Sequence, residues 1–145
     1  MDKSRIYIIE ENRELLDKIT KQINKVQNYQ IIGTATHAVD AITFFETNKC
    51  DLVIVDLMLS DIDGIGVLEK VNEINKDAFQ HAICLTSFTS PLISSTLEKL
   101  NVSYCFKIPV DFDYFMDVLK KVLNNKAELE VDKKNEDKKI QKIKI

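Results

Sequence analysis

The chain has 145 residues, enough for one domain with a proper core and too few for two comfortable ones. Its 45% hydrophobic and 30% charged content is ordinary for a globular protein, and no apolar run approaches membrane-spanning length. The net charge of −3 is unevenly spread: residues 1–125 carry 13 Lys/Arg against 18 Asp/Glu, whereas residues 126–145 carry 7 Lys against 5 acids. An acidic body argues against direct nucleic-acid binding, which rests on neutralising phosphates with Lys and Arg. Cys50, Cys84 and Cys105 are odd in number and irregularly spaced, so they read as free thiols in a reducing cytoplasm. The start "MDKSRIYIIEEN" turns acidic too soon for a signal peptide.

In chain order, "RIYII" (5–9) predicts a strand, and "NRELLDKITKQINKV" predicts a helix with Leu15, Leu16, Ile19, Ile23 and Val26 on one face. "YQIIGTAT" (29–36) and "AVDAITFFETN" (38–48) repeat the pair, and "DLVIV" (51–55) is the third strand. Gly64 and Gly66 then open "VLEKVNEIN" as a third helix. "HAICLTS" (81–87) is the fourth strand, and "PLISSTLEKL" follows it as a helix with Pro91 in the first turn. "VSYCF" (102–106) and "DFDYFMDVLKKVLNN" (111–125) complete five strand–helix repeats. Short loops between such repeats mean an α/β fold with a parallel sheet covered on both faces. Right-handed crossovers favour the flavodoxin-like doubly wound order 2-1-3-4-5. The domain is expected over 1–125, with 126–145 a charged tail or linker.

The C-terminal ends of strands one, three, four and five converge in this topology. They carry Glu10-Glu11, Asp56, Thr86-Ser87 and Lys107. Three carboxylates without a partner repel one another, and a hard divalent cation relieves that; oxygen-only ligands suit Mg²⁺. A hydroxyl and an ammonium facing the same aspartate suit stabilisation of a phosphoryl group arriving on Asp56.

Across residues 4–123 these positions resemble the receiver domain of two-component response regulators. Their spacing, with "DG" at 63–64, "VLEK" and "PVDFDYF", is most similar to the receiver half of the regulator that starts sporulation in Firmicutes. The resemblance implies that Asp56 is the phosphoacceptor, with Glu11 binding the metal directly and Glu10 through water. It makes the Met58 carbonyl the remaining protein ligand, Thr86 the switch hydroxyl, and Tyr104 an aromatic that swings with it. It also implies a signalling module rather than an enzyme, and a sensor histidine kinase or phosphotransfer protein as phosphate donor. The output face would be helix four, strand five and helix five.

The chain departs from the family pattern in three places. Two glutamates stand where at least one aspartate is usual, and each is one methylene longer. Ser60 replaces a proline, which predicts a looser loop. The family's lysine directly precedes a proline, whereas this chain reads Lys107-Ile108-Pro109. Anchoring on Pro109 needs no gap, puts Ile108 in the lysine's place and turns Lys107 to the opposite face; Asn101 then takes the left-handed position ending helix four. Anchoring on Lys107 makes Ile108 an insertion. The broken register keeps alive a different function, a degenerate receiver that docks or dimerises without phosphorylation.

Phe112, Tyr114, Phe115 and Met116 are more apolar surface than one buried stripe needs, so part of helix five is expected to be exposed for self-association. No DNA-binding domain is evident, so the tail either leads to one or the output is protein contact. Rival chemistries fail on particular residues. "LSDIDGIGVLEK" mimics a calcium loop but has Leu59 and Lys70 at its two key carboxylate positions. Met58 stands where an aspartyl phosphatase has its second aspartate, no phosphate-binding glycine motif occurs, and neither His37 nor His81 neighbours a nucleophile.

Overall fold

The computed structural model describes residues 2–124, so the charged tail 126–145 lies outside the described residues. Five strands alternate with five helices: β1 (Ser4–Ile9), α1 (Arg13–Asn24), β2 (Tyr29–Ala35), α2 (Ala38–Phe45), β3 (Cys50–Asp56), α3 (Gly64–Ile74), β4 (Phe79–Thr86), α4 (Pro91–Lys99), β5 (Val102–Lys107) and α5 (Phe112–Leu123). The strands form one parallel sheet in the order β2-β1-β3-β4-β5. This is the doubly wound, flavodoxin-like arrangement expected. The fourth strand starts two residues earlier than its apolar run suggests, because Phe79 already pairs with Cys50.

Alternation along the central parts of the strands builds two cores, with register shifts at Ile6/Tyr7 and Ala82/Ile83. Tyr7, Ile9, Val53, Val55, Ala82, Cys84, Val102 and Cys105 pack under α2, α3 and α4, with Phe45, Leu68 and Leu97. Ile6, Ile8, Leu52, Ile54, Ile83, Leu85, Tyr104 and Phe106 pack under α1 and α5, with Ile19, Phe115 and Leu119. Each fully buried Leu, Ile or Phe contributes about 2 kcal/mol, so central strands apolar on both faces are the main source of stability. The three cysteines are buried free thiols within this packing. Burial pushes Cys50 and Cys105 up to about 12, so neither is a nucleophile near neutral pH.

Helix starts follow local chemistry. Asn12, Asp63, Ser90 and Asp111 each accept a backbone N–H of the first turn of α1, α3, α4 and α5. Asn101 ends α4 with φ 63°, the left-handed position foreseen for it. The α2 helix is the exception, because its N-cap His37 makes no capping bond. Asp61, arriving from the β3–α3 loop, accepts from Ala38 N–H (3.1 Å) and Val39 N–H (3.2 Å) instead. Asp61→Ala is therefore expected to cost about 1 kcal/mol in urea unfolding, the usual worth of a cap, and Asp61→Asn, which keeps one acceptor oxygen of the two, about half of that. Equal losses for Ala and Asn would show that charge, not the acceptor, matters.

The aromatic residues of α5 correct an expectation. Phe115 is fully buried, and Phe112, Tyr114 and Met116 are half-buried against the same core. None offers the exposed patch foreseen for self-association. Among the described residues the exposed large apolar side chains are Val39, Met58, Ile62, Ile74, Phe88 and Leu92, none of them on α5. A twelve-residue helix beside a two-sided sheet has a wide groove to fill, and four large residues fill it.

Candidate functional site

The site forms where β1, β3, β4 and β5 end. Asp56 closes β3 at 7% exposure, and its Oδ1 accepts the Met58 N–H at 2.8 Å. This leaves its second oxygen, Oδ2, as the one not used by Met58. Beside it, Glu10 follows β1 at 1% exposure. Its Oε2 accepts the Asn12 N–H at 3.0 Å, whereas its Oε1 is buried with no hydrogen-bond donor. Burial first, and then the neighbouring Asp56 carboxyl, push the Glu10 carboxyl up to about 8. A buried, unpartnered carboxyl oxygen beside a second carboxylate needs either a proton or a cation.

Glu11 is placed differently. Its Oε1 accepts both the Ser60 N–H (2.9 Å) and the Ser60 hydroxyl (2.6 Å). These bonds, the hydroxyl's first, hold its carboxylate below the ordinary range. Glu11 was the carboxylate expected on the metal, with Glu10 behind it; here Glu10 lies against Asp56 and Glu11 is turned to the loop. The loop itself is not the loose one expected from Ser60. Ser60 ties it to Glu11, Asp61 ties it to α2, and Asp63 caps α3 through Gly66 N–H at 2.8 Å. Asp61 and Asp63 thus serve helix ends and not the site.

Thr86 is 1% exposed, and its hydroxyl donates to the Phe88 carbonyl (2.7 Å) and accepts the Phe88 N–H (3.1 Å). Tyr104 does not share its face. The ladder pairs Ile83 with Tyr104, which packs with α1 and α5 and meets the Tyr114 hydroxyl, whereas Thr86 continues the Cys84 face toward α2–α4. The expectation that Tyr104 swings with Thr86 fails on this alternation.

Lys107 pairs with Thr86 and is exposed. Asp56 pairs with Leu85, Leu85 pairs with Phe106, and Ile108 is two residues beyond Phe106. Ile108 therefore falls on the Asp56 face, half-buried against the α1–α5 core, with its N–H donating to the Thr86 carbonyl at 2.8 Å. This agrees with the gapless register.

The donor chemistry fits a hard divalent cation, because Glu10 and Asp56 offer only oxygens and Glu10 Oε1 has no other partner. Among the described residues no three His, Cys, Asp or Glu side chains gather as a ready-made metal cluster, and Glu11 is engaged by Ser60.

A family model described as the response regulator receiver domain matches residues 6–120. The chain belongs to that family. Solved structures place this receiver domain among similar folds. A CheY-like receiver domain protein from Methanospirillum hungatei JF-1 matches with TM-score 0.75 at 20% identity, covering 85% of this chain and 95% of that one. The receiver domain of a putative LuxO repressor protein from Vibrio parahaemolyticus matches with TM-score 0.75 at 24% identity, over 84% and 91%. A CheX–CheY–BeF3–Mg complex from Borrelia burgdorferi matches with TM-score 0.73 at 17% identity, over 82% and 88%. Among the described residues no helix is long and apolar enough to cross a membrane.

Sequence reasoning missed Ser60 as a functional neighbour, seeing only the proline it replaces. A hydroxyl and a free N–H in an acidic loop were the available signal.

Proposed function

We propose that this receiver domain accepts a phosphoryl group on Asp56 from the phosphohistidine of a sensor kinase or phosphotransfer protein, in a cytoplasmic relay. The observation that supports it is the buried carboxyl pair, Asp56 beside a Glu10 whose Oε1 has no donor. In the transfer, a carboxylate oxygen of Asp56 attacks phosphorus. The new O–P bond forms as the N–P bond breaks, and the histidine nitrogen keeps the electron pair. The Met58 N–H on Oδ1 orients the carboxylate so that Oδ2 is the attacking atom. A bound Mg²⁺ would neutralise the charge gathered there; Glu10, Asp56, Glu11 and the Met58 carbonyl are the groups to hold it.

Thr86 starts on the opposite sheet face from Asp56, so to meet a phosphoryl oxygen at the strand end it would give up its Phe88 backbone bonds and turn over the end of β4, freeing the β4–α4 loop. That loop and the start of α4 carry Phe88, 61% exposed, and Leu92, 77% exposed, which makes them the apolar output surface. The motif spacing leads us to place the module upstream of sporulation or transcription, as a phosphate acceptor and not an enzyme in its own right.

A second reading, a docking module that works without phosphorylation, is favoured by one observation: Ile108 and not Lys107 falls on the Asp56 face. Mass spectrometry after acetyl phosphate and Mg²⁺ treatment separates the two. The wild-type chain is expected to gain one phosphoryl group and Asp56→Asn none. Lys107→Ala is expected to change little, whereas Lys107→Leu with Ile108→Lys puts an ammonium on the Asp56 face and raises the yield. If neither the wild type nor the double variant is modified, the docking reading stands. Loss of modification in Lys107→Ala would make Lys107 the working cation.

A further inference from the structure

We propose that Ser60 is a positioning residue that latches Glu11 away from the cation site, so that filling the site competes with opening the latch. The inference rests on the reading of Glu10, Glu11 and Asp56 as a cation site given above.

Ser60 and Glu11 lie 49 positions apart, yet both Ser60 donors converge on one oxygen, Glu11 Oε1, at 2.9 and 2.6 Å. Bonds to an ionised acceptor are stronger than those between neutral groups. The donor is also fixed independently of Glu11, because Asp61 fastens the next residue of the loop to the α2 N-terminus and Asp63 fastens the start of α3. Ser60 is therefore a preset cradle and not a side chain that merely follows Glu11. The backbone N–H contribution exists because residue 60 is not proline, which has no N–H to give.

The pocket beside the latch is short of positive charge. Glu10 Oε1 is buried without a donor against Asp56, while the one carboxylate adjacent in sequence is held outside on the loop. The length of Glu11 is what the latch uses: an aspartate there would be one methylene short of Ser60. For Glu11 to turn inward it must give up two charge-assisted bonds. Cation affinity is lowered by that cost, discounted because the half-buried Glu11 is still partly screened by water.

The test is titration of Mg²⁺ alone into the full chain by calorimetry, together with the Ser60 amide resonance. Ser60→Ala removes the hydroxyl bond and is expected to tighten binding about threefold; Ser60→Pro removes both donors and is expected to tighten it about tenfold. Ser60→Thr keeps both donors and should match the wild type. In the wild type the Ser60 amide proton should start downfield and move upfield as Mg²⁺ saturates. Glu11→Asp should behave like Ser60→Pro, which covers the case that the proline variant fails to fold. If Mg²⁺ binding depends on Asp56 but Ser60→Ala and Glu11→Asp leave it unchanged, the latch is overturned and the cation site stands. If no variant binds Mg²⁺, the cation reading is overturned and the latch with it.

Discussion

Glu10→Gln will stabilise the metal-free domain at alkaline pH and leave it nearly unchanged in mild acid. The Glu10 carboxyl rises from 4.5 to about 8 on folding, through burial and then the Asp56 carboxyl. Between these values the folded chain holds a proton that the unfolded chain has released. The stability Glu10 contributes by staying neutral is therefore complete below about 4.5 and is lost as pH rises through about 8. Glutamine has no proton to lose, so its unfolding free energy should stay flat where the wild type falls. The difference at the alkaline end should be about 2–4 kcal/mol. Urea unfolding in chelator across this range measures it. A wild-type curve that rises over the window, in parallel with Glu10→Gln, would show Glu10 ionised in the fold.

The second large effect is expected at Gly64. A Cβ there would stand 2.6 Å from the Asp56 carbonyl oxygen and 2.7 Å from Leu57 Cα. Both are backbone atoms at the end of a central strand, so no side chain can rotate to make room. The Gly64 N–H also donates to the Leu57 carbonyl at 3.0 Å, which pins the helix start against the strand end. Gly64→Ala must push α3 away or displace Asp56, at a cost of about 3 kcal/mol, the upper range for overpacking. Phosphorylation of Asp56 should fall more than the stability loss explains, since the carboxylate moves with its backbone. Gly66 is the internal control. Its added Cβ would meet the Ile62 side chain at 2.8 Å, an exposed group that can turn aside. Gly66→Ala should therefore cost little, helped by alanine's better helix propensity. Equal midpoints in urea for the two variants would remove the close approach at Gly64 as an explanation.

Much of this protein was legible in the chain because its strongest signals are local. Runs such as Leu52–Val55 are apolar on both faces, which only a doubly covered strand tolerates. Pro91 was readable as a first-turn residue and opens α4, because its fixed backbone angle suits that position alone. Asn101 was readable as the left-handed end of α4 by counting back from Pro109. Asp56 at a strand end with Glu10 and Thr86 at others followed from topology alone.

What the chain did not reveal was decided by groups that meet only after folding. The partner of Glu11 is Ser60, and the cap of α2 is Asp61, each brought in by a loop from far along the sequence. Nothing in the local pattern says which of two adjacent glutamates turns inward. The family resemblance made Tyr104 the switch aromatic if it fell in register, yet the β4–β5 register puts it on the α5 face, away from Thr86. The same one-residue alternation sets Ile108 toward Asp56 and Lys107 toward solvent. Local periodicity determines which residues form each element, because that depends on neighbours in the chain. Hydrogen-bond pairing between strand ends and loops determines which carboxylates, hydroxyls and cations share one site, because it depends on how separate elements come to rest against each other.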